Sequence, residues 1–485
     1  MREYLTLEQL KKFSFEKIER LQNLRFKATC RFMLPNTPFY SSLFKQYGID
    51  PFSLKKVEDW HTKGLPLIKK ATYMKNPTDF VVKPDLNKIF TDYFAYLDNQ
   101  DEYASAIHLL FSSHKEQTLK EYYSPKMLIF SGGTESGNPT PVLLTGTQKF
   151  SNLMGILKII GDIILPDFKE QKTGMNVFPY APHLGWHAVH HALDINADLN
   201  LCTAAGGAIP TERLIALADK AKPNIICGMS DYLRNRFLPM AIEKKIRLPE
   251  KVVFINGAQK MLDPEREKIR ELARKVGVTD AIVLDLYGAS ELKEALLPEC
   301  KEGSGYHHVA PLSTIIKTVE VNHATDEVID DWDFSPNGYA ASWNIDGAGT
   351  LLAGYFIGDK YDNVVNERCS NCNLNVARIY GINRIREVEA QLKFTGIVEE
   401  KVKGTRVNLV AIRETALSVP EVKEAQVYLS RKKGILELRF ISDSAKTKQK
   451  LVKLFAGAEI RPKIVQSTLK KLQGEKIKFE GIRVD

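Results

Sequence analysis

One stretch of the chain suggests phosphate chemistry by its composition: Ser131-Gly132-Gly133-Thr134-Glu135-Ser136-Gly137, followed by Asn138-Pro139-Thr140. Glycines let neighbouring backbone N–H groups converge on one point, and the hydroxyls of Ser131, Thr134 and Ser136 add donors for phosphoryl oxygens. The Gly132 to Gly137 spacing matches half of a Walker loop. Asn138-Pro139 stands where that motif needs Lys-Ser/Thr ahead of a helix, which argues against a Walker site. Apolar runs at 127–130 and 142–144 make the stretch a turn between two strands. A plain hairpin loop has the same signature, so the choice rests on the rest of the chain.

Three further strand ends carry groups suited to a nucleotide. Asn256-Gly257-Ala258-Gln259 gives a small-residue turn against whose backbone a flat base could lie. In Asp285-Leu286-Tyr287-Gly288-Ala289-Ser290-Glu291 the aromatic ring could stack on a base, and the carboxylate could hold Mg²⁺. Asp359, after Tyr355-Phe356-Ile357-Gly358, could accept hydrogen bonds from ribose hydroxyls. Taken singly, a Tyr-Gly pair is equally a turn and a terminal Asp equally a cap.

Cys369-Ser370-Asn371-Cys372 is the two-cysteine half of a tetrahedral zinc knuckle, because two intervening residues let both thiolates face one ion. Cys300 and His307 form a second compact group upstream, with His308 as an alternative to His307. Unrelated reduced thiols are the competing reading. His183, His187, His190 and His191 crowd one helical segment, where they read as packing or pocket-lining groups.

The elements that must position these residues follow from periodicity. Helical patterns near 147–164, 185–193, 211–221, 230–244 and 263–276 alternate with strands at 199–203, 224–227, 252–255 and 281–284. That alternation means a mainly parallel sheet covered on both faces, with ligands beyond the carboxyl ends of its strands. Amphipathic helices precede it over 5–33, and from about 310 the chain becomes β-rich. The last stretch has its own α+β pattern: helices at 411–418 and 445–456, strands at 424–430 and 435–441. The expected fold is α/β, with mainly parallel helix-covered sheets and a β-rich subdomain in a large domain over 1–398. A small mobile α+β lid domain would follow over 399–485, and 88–125 would be an insertion.

Length and composition bound the rest. A chain of 485 residues with 44% hydrophobic and 26% charged content can bury several cores. The net charge of +9, from 68 basic and 59 acidic residues, suits a polyanionic cofactor such as a nucleotide or coenzyme A, or a solvated surface. Six scattered cysteines are too few for a disulfide framework, which points to a reducing cytoplasm. The first residues lack a signal-peptide pattern, and the most apolar stretch, 153–165, is too short to span a bilayer and is interrupted by Lys158 and Asp162.

The order of these motifs resembles the acyl-adenylate-forming superfamily, and within it the phenylacetate–coenzyme A ligase branch. Asn36-Thr37-Pro38-Phe39-Tyr40, Gly206-Gly207-Ala208-Ile209-Pro210-Thr211 and Lys222-Pro223-Asn224 add to the likeness. The resemblance implies ATP-dependent activation of an aryl or fatty acid as an acyl-adenylate, then transfer to coenzyme A; transfer to a protein thiol or amine, or a non-catalytic nucleotide- or acyl-binding homologue, are its alternatives. It assigns Ser131, Gly132, Gly133, Thr134, Ser136 and Gly137 to the β,γ-phosphates, and Gly257, Ala258, Asp285 and Tyr287 to the adenine. Asp359 is assigned to the ribose, Glu291 to Mg²⁺, Lys476 to the reacting centre and Glu399 to the hinge. Members of the branch carry an acidic-Cys and Gly-x-His pair, which Glu299-Cys300 and Gly305-Tyr306-His307 resemble, so Cys300, His307, Cys369 and Cys372 would hold a structural Zn²⁺. Partners would be a small carboxylic acid and coenzyme A or an acyl-acceptor protein, with no nucleic acid, in a monomer or homodimer. Three positions depart from the pattern: Glu135 puts negative charge in the phosphate turn, Asn138 replaces a basic residue, and Ile397 replaces a hinge arginine, leaving Arg384 or Arg386 for the ribose.

Overall fold

In the strands Ile225–Cys227, Lys251–Gly257 and Asp280–Tyr287, successive side chains enter different cores, as a period of two requires. Ile225, Cys227, Val253, Ile255 and Leu284 face one apolar cluster, packed by the helices Met154–Ile164 and Leu184–Asn196. Ile226, Val252, Phe254 and Val283 face the other, packed by the helices Thr211–Ala221, Leu238–Glu243 and Asp263–Lys275. Buried on both sides, these strands read as near-continuous apolar runs. The computed structural model describes residues 4–83, 120, 122–130, 140–181, 183–384, 398–402, 405–458, 460–468, 471–472 and 481–485.

The sheet runs Leu199–Asn200, Thr173–Asn176, Ile225–Cys227, Lys251–Gly257, Asp280–Tyr287, Leu297–Pro298; all neighbours are parallel except the last pair. A seven-stranded, mostly antiparallel sheet follows the order Val328–Ile329, Leu67–Ile68, Ala353–Tyr361, Gly338–Asn344, Thr314–His323, Asp331–Phe334, with Asn383–Arg384 beside Ala353–Tyr361. The N-terminal helices cover it through Phe26, Tyr40 and Trp60, packed in one core with Trp343, Tyr355 and Phe356. The Tyr40 hydroxyl donates to the Ala353 carbonyl at 2.9 Å and accepts from the Ala353 N–H at 2.6 Å, pinning the helix Pro38–Gln46 to a central strand. The apolar runs on either side of residues 131–139 pair antiparallel, Pro125–Phe130 with Pro141–Thr145, in register Phe130 to Pro141.

Toward the C-terminus, Lys463–Gln466, Ile435–Ile441, Glu424–Ser430 and Ile482–Val484 form a four-stranded sheet. The helices Leu409–Leu417 and Thr447–Leu454 contribute Leu409, Ile412 and Leu451 to its core. The α/β class expected from sequence is the class found, and the helices and strands lie within a few residues of their expected spans. No helix among the described residues is long and apolar enough to cross a membrane. Residues 131–139, Lys476, Arg386, Ile397 and nearly all of the 88–125 stretch lie outside the described residues.

Candidate functional site

The two large sheets meet at their strand ends. Tyr287 ends one strand of the parallel sheet, and Asp359 lies near the end of Ala353–Tyr361 in the other. The Tyr287 hydroxyl donates to Asp359 Oδ2 at 2.8 Å and accepts from the Tyr361 hydroxyl at 3.0 Å. Burial first, and then the Asp359 charge, push the Tyr287 hydroxyl well above its usual pKa, so it stays a neutral donor. Arg384 is the antiparallel backbone partner of Asp359.

Gly257 closes the neighbouring strand, and Ala258 follows it at φ 61°, a left-handed turn that leads the chain sharply away from the sheet. Asp285 supports this turn from beneath. Its Oδ1 accepts from Asn256 Nδ2 at 2.6 Å and its Oδ2 from the Tyr306 hydroxyl at 2.5 Å and the Met261 N–H at 3.3 Å. With both oxygens engaged and the residue 3% exposed, Asp285 orders the wall and is spoken for by protein donors. Burial raises its pKa against these hydrogen bonds.

Glu291 sits on the 3-10 turn Ser290–Leu292, buried, with Tyr355 donating to Oε1 at 3.3 Å. Ser290 Oγ reaches the carbonyl of Phe130 at 3.4 Å, so the Glu291 turn stands beside the end of the strand Pro125–Phe130. A buried carboxylate of this kind could take Mg²⁺, which binds one or two carboxylates together with substrate phosphates. Glu399 opens the strand Glu399–Val402, paired with Thr405–Asn408.

Cys300, His307, Cys369 and Cys372 place their four donor atoms within 4.8 Å of one another. Cys300 Sγ is 3.7 Å from Cys369 Sγ, and Cys372 Sγ is 3.4 Å from His307 Nε2. Tetrahedral zinc with ~2.3 Å Zn–S and ~2.0 Å Zn–N bonds needs separations of ~3.8 and ~3.5 Å, so the donor set fits that ion. His307 Nδ1 lies 3.1 Å from the Pro298 carbonyl, which fixes the tautomer that leaves Nε2 for a metal. His308 is turned away: its Nε2 is 2.7 Å from the Thr314 carbonyl, and burial lowers its pKa to about 4. Hydrogen bonding with Cys372, aided by His307, pulls the Cys300 thiol far below its ordinary pKa. All six cysteines are free thiols.

The metal cluster is joined to the strand ends. Glu299, next to Cys300, accepts the Asp285 N–H at 2.9 Å and forms a two-pronged pair with Arg266 at 2.9 and 3.1 Å. Tyr306, next to His307, holds Asp285. A second buried network, Lys293, Glu294, Asp346 and Gln148, lies behind Glu291. Sequence reasoning passed over it; the one local signal is a Lys-Glu pair followed by the apolar run Ala295-Leu296-Leu297. The four histidines share the helix Leu184–Asn196 and its N-terminal flank, where His190 stacks on Trp186 at 4.9 Å and lies 3.5 Å from Asp194.

No family model matches the chain, and no curated protein matches it. Solved structures do: the fold is that of the adenylate-forming ligases. The chain superposes on 2-hydroxyisobutyryl-CoA ligase with 2-HIB-AMP and CoA in the thioesterification state at TM-score 0.67 and 13% identity, covering 99% of this chain and 92% of that one. An open conformation of that ligase with the same ligands gives 0.57 and 13%, over 98% and 93%. Its postadenylation state with 2-HIB-AMP gives 0.56 and 14%, over 99% and 92%. At such identity the likeness is one of fold.

Proposed function

We propose that this protein uses ATP to activate a carboxylic acid as an acyl-adenylate and passes the acyl group to the thiol of coenzyme A. One observation carries the reading: the Gly257–Ala258 turn, the Tyr287–Asp359 pair and Glu291 converge at one end of the parallel sheet, with Ser290 against the end of the strand Pro125–Phe130. The fold likeness to a ligase solved with an acyl-AMP and CoA supports it.

A carboxylate at neutral pH is a poor acyl donor. Its oxygen attacks the α-phosphorus of ATP, the bond to pyrophosphate breaks, and a thiolate then displaces AMP. In this reading Ser131, Gly132, Gly133, Thr134, Ser136 and Gly137 cradle the β,γ-phosphates, and the Tyr287 ring and the Gly257–Ala258 backbone flank the base. Asp359 holds the ribose, and Glu291 would hold a Mg²⁺ that offsets phosphate charge. Lys476 offsets charge developing between carboxylate and α-phosphate. Glu399 serves as the hinge between a large domain, 1–398, and a mobile small one, 399–485. Cys300, His307, Cys369 and Cys372 hold a structural Zn²⁺, since four protein ligands leave no open position. The acid is aryl or fatty, as for phenylacetate–CoA ligases, and the site of action is the cytoplasm.

The test is carboxylate-dependent exchange of labelled pyrophosphate into ATP over a panel of aryl and fatty acids. Exchange with one acid class is expected, reduced ~100-fold or more in Lys476→Ala. Silence with every acid, in protein that binds ATP, would favour a binding protein that keeps only the fold.

A further inference from the structure

Lys293 ends the turn that carries Glu291 at φ 56° and ψ −117°, a conformation that residues with a Cβ rarely adopt. Its side chain is 1% exposed, and its ammonium donates to both Asp346 oxygens at 2.9 and 2.8 Å and to the Ala348 carbonyl at 2.9 Å. Gln148 approaches the same two groups: Nε2 donates to Asp346 Oδ2, and to the Ala348 carbonyl at 2.9 Å. Its Oε1 accepts from the Thr145 N–H at 2.8 Å. Thr145 ends the strand Pro141–Thr145, and that strand is fastened again to the same loop: Leu143 N–H donates to Thr350 Oγ1 at 3.0 Å, and Thr350 N–H to the Leu143 carbonyl at 3.1 Å. Gly349, at φ 63°, lets the loop come this close, because a Cβ there would collide with the Leu143 carbonyl.

The strand Pro141–Thr145 and the backbone that carries Glu291 are thus both fastened to one loop, 346–350, the strand by Leu143 and through Gln148, the Glu291 turn by a buried ion pair. Replacing such a pair with apolar groups of similar volume is often neutral or stabilising, and the backbone at Lys293 adds strain, so stability alone does not account for it. What the pair supplies is geometry. We propose that Lys293 and Asp346 are positioning residues for adenylation, holding the turn that carries the Glu291 carboxylate in register with the strand Pro141–Thr145. The inference rests on the adenylation reading above.

The double variant Lys293→Met/Asp346→Leu removes the two paired charges together. Thermal unfolding, AMP binding and Mg²⁺-dependent pyrophosphate exchange are measured on the full chain. The expected result is a folded protein that binds AMP within ~3-fold of the wild type but exchanges with a kcat lowered ~100-fold, the order of loss that follows an ångström of misplacement. Gln148→Met, which keeps the ion pair balanced and cuts its tie to Thr145, should lose ~10-fold, and it decides the matter if the double variant does not fold. Wild-type exchange rates in a folded variant would make the pair merely structural and overturn the proposal. Absence of exchange in the wild type itself would instead overturn the adenylation reading, and this inference with it.

Discussion

Glu294 follows Lys293 into the core with 0% exposure, and Ser313 Oγ donates to its Oε1 at 3.0 Å. Burial, and next the charge of Asp346, raise its carboxyl from 4.5 to about 7, while Lys293 acts in the opposite sense. Between those two pH values the folded protein keeps a proton that the unfolded chain has released. Stability contributed by the protonated form is therefore whole below pH 4.5 and is lost as pH rises through about 7. The full span is about 3 kcal/mol. Glu294→Gln is neutral at every pH, so its gain in unfolding free energy over the wild type should grow by that amount from pH 4.5 to 8 in urea melts; parallel curves would refute the assignment. Asp285 shows where residue-level reading stops. Its place at a strand end was legible, but its donors come from Asn256, Met261 and Tyr306, scattered along the chain, and no local pattern announces that both oxygens are engaged. The pairing of Lys293 with Asp346 across 53 residues is hidden for the same reason.

At the scale of elements, legibility followed period. Alternate burial along Lys251–Gly257 and the apolar face of Asp263–Lys275 are written in every second or every third-to-fourth residue, so those spans could be read directly. The metal cluster was readable only in halves, because it joins the short strand Tyr306–His307 to the segment between Asn363–Val365 and Arg378–Tyr380, and pairing between distant strands leaves no local trace. The antiparallel pairing of Tyr306–His307 with Arg378–Tyr380 brackets the knuckle, whose turn is closed by the Asn373 N–H donating to the Cys369 carbonyl at 2.9 Å. One zinc per chain is expected by elemental analysis, and none in Cys372→Ser. Losing it should lower stability by several kcal/mol. It should also weaken nucleotide binding, because Glu299 and Tyr306, the neighbours of two ligands, hold Asp285 and through it the Gly257–Ala258 turn. A metal-free protein that melts at the wild-type temperature would remove the cluster from any structural role.

For the whole molecule, the apolar cores decide what unfolds together. Among the described residues, the cluster built from Val398, Leu409, Val427, Leu438, Phe440 and their neighbours takes no side chain from before Val398. The clusters around the large sheets take none from after it. A unit of this length with its own sheet, two helices and core is large enough to fold independently. Calorimetry should therefore resolve two transitions rather than one. ATP with Mg²⁺ should raise the transition of the larger unit, where Tyr287, Asp359 and Glu291 lie, by mass action; at a nucleotide concentration 100 times Kd the gain is ~2.7 kcal/mol. In the absence of acid the smaller transition should move much less, since the groups assigned to base, ribose and metal all belong to the larger unit. A single transition that shifts as one body with nucleotide would mean that contacts between the units, rather than their separate cores, set the cooperativity, and would remove the basis for a small domain that moves about Glu399.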